Sequence, residues 1–284
     1  HPEQYVLELI QAANFSGASY IAVNVDAQQL ILAWVGGPPI TEGQLSRIFD
    51  YLFIRSSRSQ TRHLHQLAIG LNALLQRKPD VLRIESGDGS REGTARLDLN
   101  AAGEGRVGVP QEPLAGTYIL ARFSSGWLKR FTNSFSKGSV RAEVQLIENN
   151  CLYTPVPILL NGQAPFGWKA SKRIVYGPGA ISFNEEGRRG SLQVPADKAL
   201  RPRGIDLVVG GVRIATQPIP DLGHHEPHWA SLMGVICDDR LRKTADQSGI
   251  VQDHAWGAML RAVQPIATQV IRREIDPAGH RYHA

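Results

Sequence analysis

Apolar residues recur along the first half of the chain with two different periods. Between Gln4 and Ala13 they fall at Val6, Leu9, Ile10 and Ala13, one face of a helix. Tyr20–Val25 and Gln29–Trp34 are rich in β-branched and aromatic residues and predict a hairpin with Asp26 near its turn. Gly36-Gly37-Pro38-Pro39 is a rigid break. Thr41 follows at a position where its hydroxyl caps a helix over Glu42–Phe53, with Leu45, Ile48, Phe49 and Leu52 inward. A polar, Arg- and Ser-rich stretch runs from Arg55 to His65. A strongly apolar helix, Leu67–Leu75, comes next and is ended by Lys78-Pro79. Strands are expected at Val81–Glu85, Thr94–Leu99 and Tyr118–Phe123, between Gly-rich turns.

Helix, hairpin, helix, loop, helix and then strands describe helices laid on one face of a mixed sheet, an α+β arrangement. The second half predicts strands at Val140–Glu148, Val156–Asn161, Arg173–Tyr176, Gly190–Val194 and Ile205–Ile214. It ends in a long helix, about Val251–Glu274, whose apolar positions from Trp256 and Met259 to Ile271 advance in steps of three and four. Trp256 and Met259 read as core residues, and Pro265 is expected to kink or split the helix. Small and polar residues cluster at Phe131–Ser139, which places a boundary there: residues 1–130 form one domain and 131–284 another. No sheet is expected to continue across residues 125–140.

Composition narrows the class. A chain of 284 residues is long for one average domain, which agrees with two. Hydrophobic residues at 42% and charged residues at 20% exclude a disordered or fibrous chain. Two cysteines, Cys151 and Cys237, exclude a disulfide scaffold and a multi-thiolate zinc site, and both lie in apolar surroundings. No apolar run approaches the roughly 18–20 residues of a membrane helix. The two cysteines read as buried thiols of a reducing compartment, so a cytoplasmic location is expected. The net charge of +5 permits an acidic partner without requiring one.

Four segments carry the candidate chemistry. They are Glu8-Leu9-Ile10-Gln11-Ala12-Ala13, Val35-Gly36-Gly37-Pro38-Pro39-Ile40, His65-Gln66-Leu67-Ala68-Ile69-Gly70-Leu71 and Gly116-Thr117. In this order, over about 120 residues, the chain resembles the GHKL ATPase superfamily, which includes gyrase, histidine kinases, mismatch-repair MutL and the ninety-kilodalton heat-shock chaperone. Its motifs are a helix with E-x-x-x-N-A, a strand ending D-x-G-x-G, a segment G-x-x-G-x-G and a strand opening with G-T. The chaperone branch is the most similar, through Gln66 to Leu71. In the second half, Ile147-Glu148-Asn149-Asn150-Cys151-Leu152-Tyr153 with Pro157-Ile158 resembles the start of that chaperone's middle domain. Cys237-Asp238-Asp239-Arg240-Leu241 through Asp246-Gln247-Ser248 resembles its later catalytic loop. The resemblance implies a GHKL (Bergerat) α/β sandwich followed by a βαβ middle domain of the ribosomal-protein-S5-like type.

It also implies roles. Glu8 stands at the general base that activates water, or else is a helix carboxylate that caps or pairs locally. Ala12 replaces the magnesium-ligating Asn, and a methyl cannot ligate a hard cation. Val35 replaces the Asp that accepts the adenine amino group; losing one charge-assisted hydrogen bond costs roughly 1.5–3 kcal/mol. Gly37 is kept, whereas Pro39 replaces the second glycine of that motif. Gln66, Ala68, Ile69, Gly70, Leu71 and Thr117 occupy the remaining nucleotide-binding positions, where helix-start amides are expected to face phosphate. Gln247 falls near the arginine that stabilises the γ-phosphate and lacks its charge.

Other clusters rank below these. Arg55, Arg58 and Arg62 share a helical face in the segment resembling the family's mobile lid and read as a solvated face. His224-His225-Glu226-Pro227-His228 reads as a polar loop, because Pro227 breaks any helix that would align the rings. No metal site and no cofactor are expected. The first function compatible with these residues is a catalytically degenerate, chaperone-like module acting through protein partners. The alternative is an atypical ATPase that takes ATP and magnesium through unexpected ligands such as Asn14 or Asp26. A nucleic-acid-binding member of the mismatch-repair type is a third, suggested only by charge. The expectation carried forward is a protein partner, with neither membrane nor nucleic acid.

Overall fold

The computed structural model describes residues 3–54, 59–108, 110, 112–123, 136–163, 165, 167, 179–194, 204–218 and 232–275. Two compact units emerge, His1–Lys169 and Ala170–Ala284. The first holds α1 (Tyr5–Ser16), β1 (Tyr20–Val25), β2 (Gln29–Val35), α2 (Glu42–Leu45) and α3 (Arg62–Leu75). It continues with β3 (Val81–Asp88), β4 (Ala95–Leu99), β5 (Gly105–Gly108), β6 (Ala115–Arg122), α4 (Ser136–Asn150) and β7 (Ile158–Leu160). Its seven strands run in the order β5-β4-β3-β6-β2-β1-β7. All neighbours are antiparallel except β1 and β7.

Strand alternation builds the core. Ile21, Val23, Leu30, Leu32, Leu82 and Ile84 point to one face and are buried, as every second position of a half-covered sheet requires. The helix α1 is buried over nearly all of Tyr5 to Ala13, more than one stripe, because α3 packs along it. The polar start of α3 is set by the same packing: His63, Leu64, Leu67, Leu71 and Leu74 advance by one, three and four and are all buried. The helix therefore begins at Arg62, five residues before the expected Leu67.

Several expectations are corrected. The segment Val140–Glu148 is helical within α4, not a strand; its buried positions Glu143, Ile147 and the following Cys151 are four apart. The expected helix Glu42–Phe53 is one short α-helix, α2, and a separate 3₁₀ turn over Ile48–Leu52. Thr41 caps α2 as expected: its hydroxyl accepts the Gln44 N–H at 3.3 Å, and Gln44 returns an acceptor to the Thr41 N–H at 2.9 Å. The helix stops where Arg47 leaves helical geometry, with φ −119° and ψ 24°. The strand β5 was not expected, since Gly105–Gly108 lacks apolar alternation. The sheet also continues past residues 125–140, because β7 pairs in parallel with β1. The units part at Lys169, not near residue 131.

In the second unit lie β8 (Ile181–Glu185), β9 (Arg188–Gln193), β10 (Ile205–Val209), β11 (Val212–Gln217), β12 (Met233–Asp238) and α5 (His254–Ile275). Its five strands run β11-β10-β12-β9-β8. The expected strand Ile205–Ile214 is a hairpin, β10 and β11, around Gly210-Gly211. Pro265 sits inside α5 without splitting it, and Trp256 and Met259 are buried. The expected strand Arg173–Tyr176 and the cluster His224 to His228 lie outside the described residues. Among the described residues no helix is long and apolar enough to cross a membrane.

Candidate functional site

The chemistry-bearing side chains of the first unit meet between α1 and α3. Glu8 is only 4% exposed. One turn on, Gln11 and Ala12 are buried beside it. Gln66 of α3 closes the group: its Nε2 donates to Oε2 of Glu8 and, at 2.9 Å, to Oε1 of Gln11. The carboxylate is thus part of a buried side-chain network linking two helices. Gln11 was not singled out in the sequence, although its spacing of three from Glu8 places both on one helical face.

Gly70 allows this approach. A Cβ there would lie 2.6 Å from Cδ2 of Leu9 and 3.3 Å from Cβ of Glu8. Ala68 and Leu71 are fully buried, and Ile69 is half-buried. All of Gln66 to Leu71 falls inside α3, past its first four residues. Their backbone N–H groups are used within the helix, so the expectation that they face phosphate is not met. His65 is also held locally, with Nδ1 2.6 Å from the Tyr51 carbonyl oxygen.

Val35 ends β2 and is 51% exposed. Its carbonyl accepts from the Ser19 N–H at 2.7 Å and the Ser19 hydroxyl at 3.1 Å. Gly37 has φ +77°, and a Cβ there would lie 2.1 Å from the Ser16 carbonyl oxygen. The glycine therefore lets the chain pass close over the end of α1. Thr117 is buried on β6 with its Oγ1 2.8 Å from Oγ of Ser86, which accepts the Ile40 N–H at 2.9 Å. These bonds tie β6, β3 and the segment after Pro39 together.

Groups offered as replacement ligands are engaged elsewhere. Asn14 accepts from the Thr154 hydroxyl at 3.0 Å, and Asp26 accepts the N–H groups of Gln28 and Gln29 at 2.7 and 2.9 Å. Among the described residues no three His, Cys, Asp or Glu side chains sit so as to hold a metal ion. Ala12 itself offers no oxygen to a hard cation.

A second buried cluster went unnoticed in the sequence. Glu143 of α4 accepts from the Tyr5 hydroxyl and, at 2.7 Å, from Nη1 of Arg77. The Arg77 guanidinium lies over the Tyr5 and Phe123 rings, at 5.5 and 5.8 Å. Burial pushes the Glu143 carboxyl above the usual carboxylate range, against the pull of Tyr5 and Arg77. Burial and the facing Glu143 hold Tyr5 protonated as the donor.

In the second unit, Asp238 accepts from Nε of Arg188 at 2.8 Å and Nε of Arg240 at 2.9 Å, and Asp239 accepts the Gly210 N–H at 2.6 Å. Gln247 lies in the turn that follows, with φ +62°. Its N–H donates to the Thr244 carbonyl at 2.9 Å, and its buried Oε1 has no hydrogen-bond partner. The segment from Ile147 to Ile158, matched above to the start of a middle domain, belongs to the first unit through α4 and β7. No protein-family model matches the chain, and none of the curated proteins matches it.

Proposed function

We propose that this chain is a GHKL-type module of the heat-shock-chaperone branch that has kept a nucleotide-binding architecture, lost turnover, and works in protein interaction or assembly in the cytoplasm. On this reading the second unit corresponds to the ribosomal-protein-S5-like middle domain. One observation carries the reading: the carboxylate at the general-base position is bonded to Gln66 inside a helix pair, next to the methyl of Ala12. A base must offer its oxygen to water, and phosphoryl transfer needs a cation against the developing charge. Oε2 of Glu8 is instead held by Gln66 within the helix pair, and neither Ala12 nor Gln247 supplies the charge.

The sequence substitutions support the same reading. The Val35 side chain has no acceptor for an adenine amino group, and its carbonyl oxygen accepts from Ser19. Calorimetric titration of nucleotide with and without magnesium tests it. The wild type is expected to show no magnesium-dependent gain. The double substitution Val35→Asp with Ala12→Asn is expected to improve magnesium-ATP affinity by about a decade or more. Tight, magnesium-dependent binding by the wild type would contradict the proposal. No gain in the double variant would remove the claim that these positions are a vestigial nucleotide pocket.

A further inference from the structure

The face of the seven-stranded sheet opposite the buried one is divided into two chemical halves. Register places Arg106, Asp98, Arg83, Leu120, Ile31 and Asn24 in one row across β5, β4, β3, β6, β2 and β1. The next row reads Gly108, Arg96, Glu85, Tyr118, Ala33, Ala22 and Leu159, ending on β7. Toward β5 this face is a ladder of ions: Arg83 meets Asp98 at 2.8 Å, and Arg96 meets Asp98 at 2.6 Å and Glu85 at 3.8 Å. From β6 to β7 it is apolar except for Asn24 at the edge of its row and carries no charge in these rows. An antiparallel sheet with one solvated face ordinarily alternates apolar inside with polar outside. Ala22, Ile31, Ala33 and Leu159 break that rule on the outside while only half-buried.

We infer that this face docks a protein partner presenting an apolar ridge bordered by carboxylates. The inference rests on the interaction role proposed above and names the surface that serves it. Two arguments fix the partner's chemistry. The first is size. At about 4.8 Å between strands the apolar half is about 14 Å wide, and at about 3.3 Å per residue some five residues give about 16 Å of length. That footprint of about 230 Å² is far below the roughly 800 Å² each side of a stable interface buries. A partner must therefore spread onto the charged half as well. The second is charge. The face carries four guanidiniums, Arg83, Arg96, Arg106 and Arg122, against two carboxylates, Glu85 and Asp98. Among the described residues no ion pair joins Arg106 or Arg122 to an acid, and both are exposed. A second copy of this chain would bring its own excess of cations to meet them. An acidic border on a different protein neutralises them.

The probe is a short synthetic amphipathic peptide with one leucine face bordered by glutamates, compared with its lysine-for-glutamate counterpart. Fluorescence anisotropy with the full chain is expected to show binding of the acidic peptide, weakening with salt, and none of the basic one. Ala33→Glu and Arg122→Glu are each expected to weaken it about tenfold or more. Both side chains stand outside the core, so melting temperatures should stay near that of the wild type. No binding by the wild type, equal binding of both peptides, or two variants that bind as the wild type does would overturn the inference. A wild-type dimer that Ala33→Glu splits would assign the face to a second copy instead. Duplex DNA that binds the wild type and is lost in Arg122→Glu would assign it to nucleic acid, and either result overturns the proposal. Phosphate release from ATP, measured on the same preparations beside Glu8→Ala, separates the two claims: turnover dependent on Glu8 removes the pseudo-ATPase reading and leaves the peptide result standing.

Discussion

A methyl group added at Gly70 would stand 2.6 Å from Leu9 and would have to push α1 away from α3. In an exposed helix Gly→Ala stabilises by about 0.8–1.0 kcal/mol through propensity. Overpacking of a tight core costs about 1–3 kcal/mol and here acts between two buried helix faces. Gly70→Ala is therefore expected to lower stability by a net of about 0–2 kcal/mol, read from the midpoint of urea unfolding with an unchanged slope. A gain in stability would show that the helices have room to spare. The same residue shows what spacing in a sequence conveys. The sequence resemblance assigns Gly70 to a phosphate loop, yet a glycine required by a neighbouring helix looks identical to one required by a phosphate. At Ala12 and Val35 the absence of a side-chain oxygen is visible in the residue type itself. The Glu8–Gln66–Gln11 contact was not legible, since the residues joined are more than fifty positions apart.

Between elements, Glu143 and Arg77 decide how α4 is held. Removing one partner of a buried ion pair leaves the other charge uncompensated, a loss of roughly 3–5 kcal/mol. Arg77→Met is expected to cost in that range at neutral pH. The pH dependence follows from the direction of the shift. Burial already raises the folded-state Glu143 carboxyl above its unfolded value, and losing Arg77 raises it further. Such a group binds more protons folded than unfolded, so its stabilising share is present at low pH and lost as pH rises through the folded value. The penalty of Arg77→Met should thus shrink as pH falls from neutral toward the usual carboxylate range of about 4. Denaturant midpoints of wild type and variant across that window check this, and a pH-independent penalty would contradict it. The strand expected over Val140–Glu148 failed for the same reason the cluster was missed. Val140, Ala142, Val144 and Leu146 alternate as a strand does, but the buried side is set by Glu143, Ile147 and Cys151. A buried glutamate counts as polar in any pattern until its partners on other elements are known.

For the whole molecule, the mixed α+β character was legible from local periodicity, and two units were legible from length. Their boundary was not. Small and polar residues near Phe131–Ser139 mark a connection, but the chain then returns through α4 to lay β7 against β1. A pairing between segments about 137 residues apart leaves no local signature. Residues 1–169 therefore hold a complete sheet and its helices, and that fragment is expected to unfold cooperatively with its own transition. A fragment without a cooperative transition would contradict the division. The central claim concerns chemistry, and phosphate release from magnesium-ATP by the purified chain beside Glu8→Ala tests it most directly. Loss of one stabilising donor costs on the order of 10²–10³ in rate, and on the proposed reading the metal ligand, the adenine acceptor and the cation are all replaced. The expected result is no release above background by either protein. Turnover by the wild type that vanishes in Glu8→Ala would show that Glu8 is a working base and that the module is an enzyme.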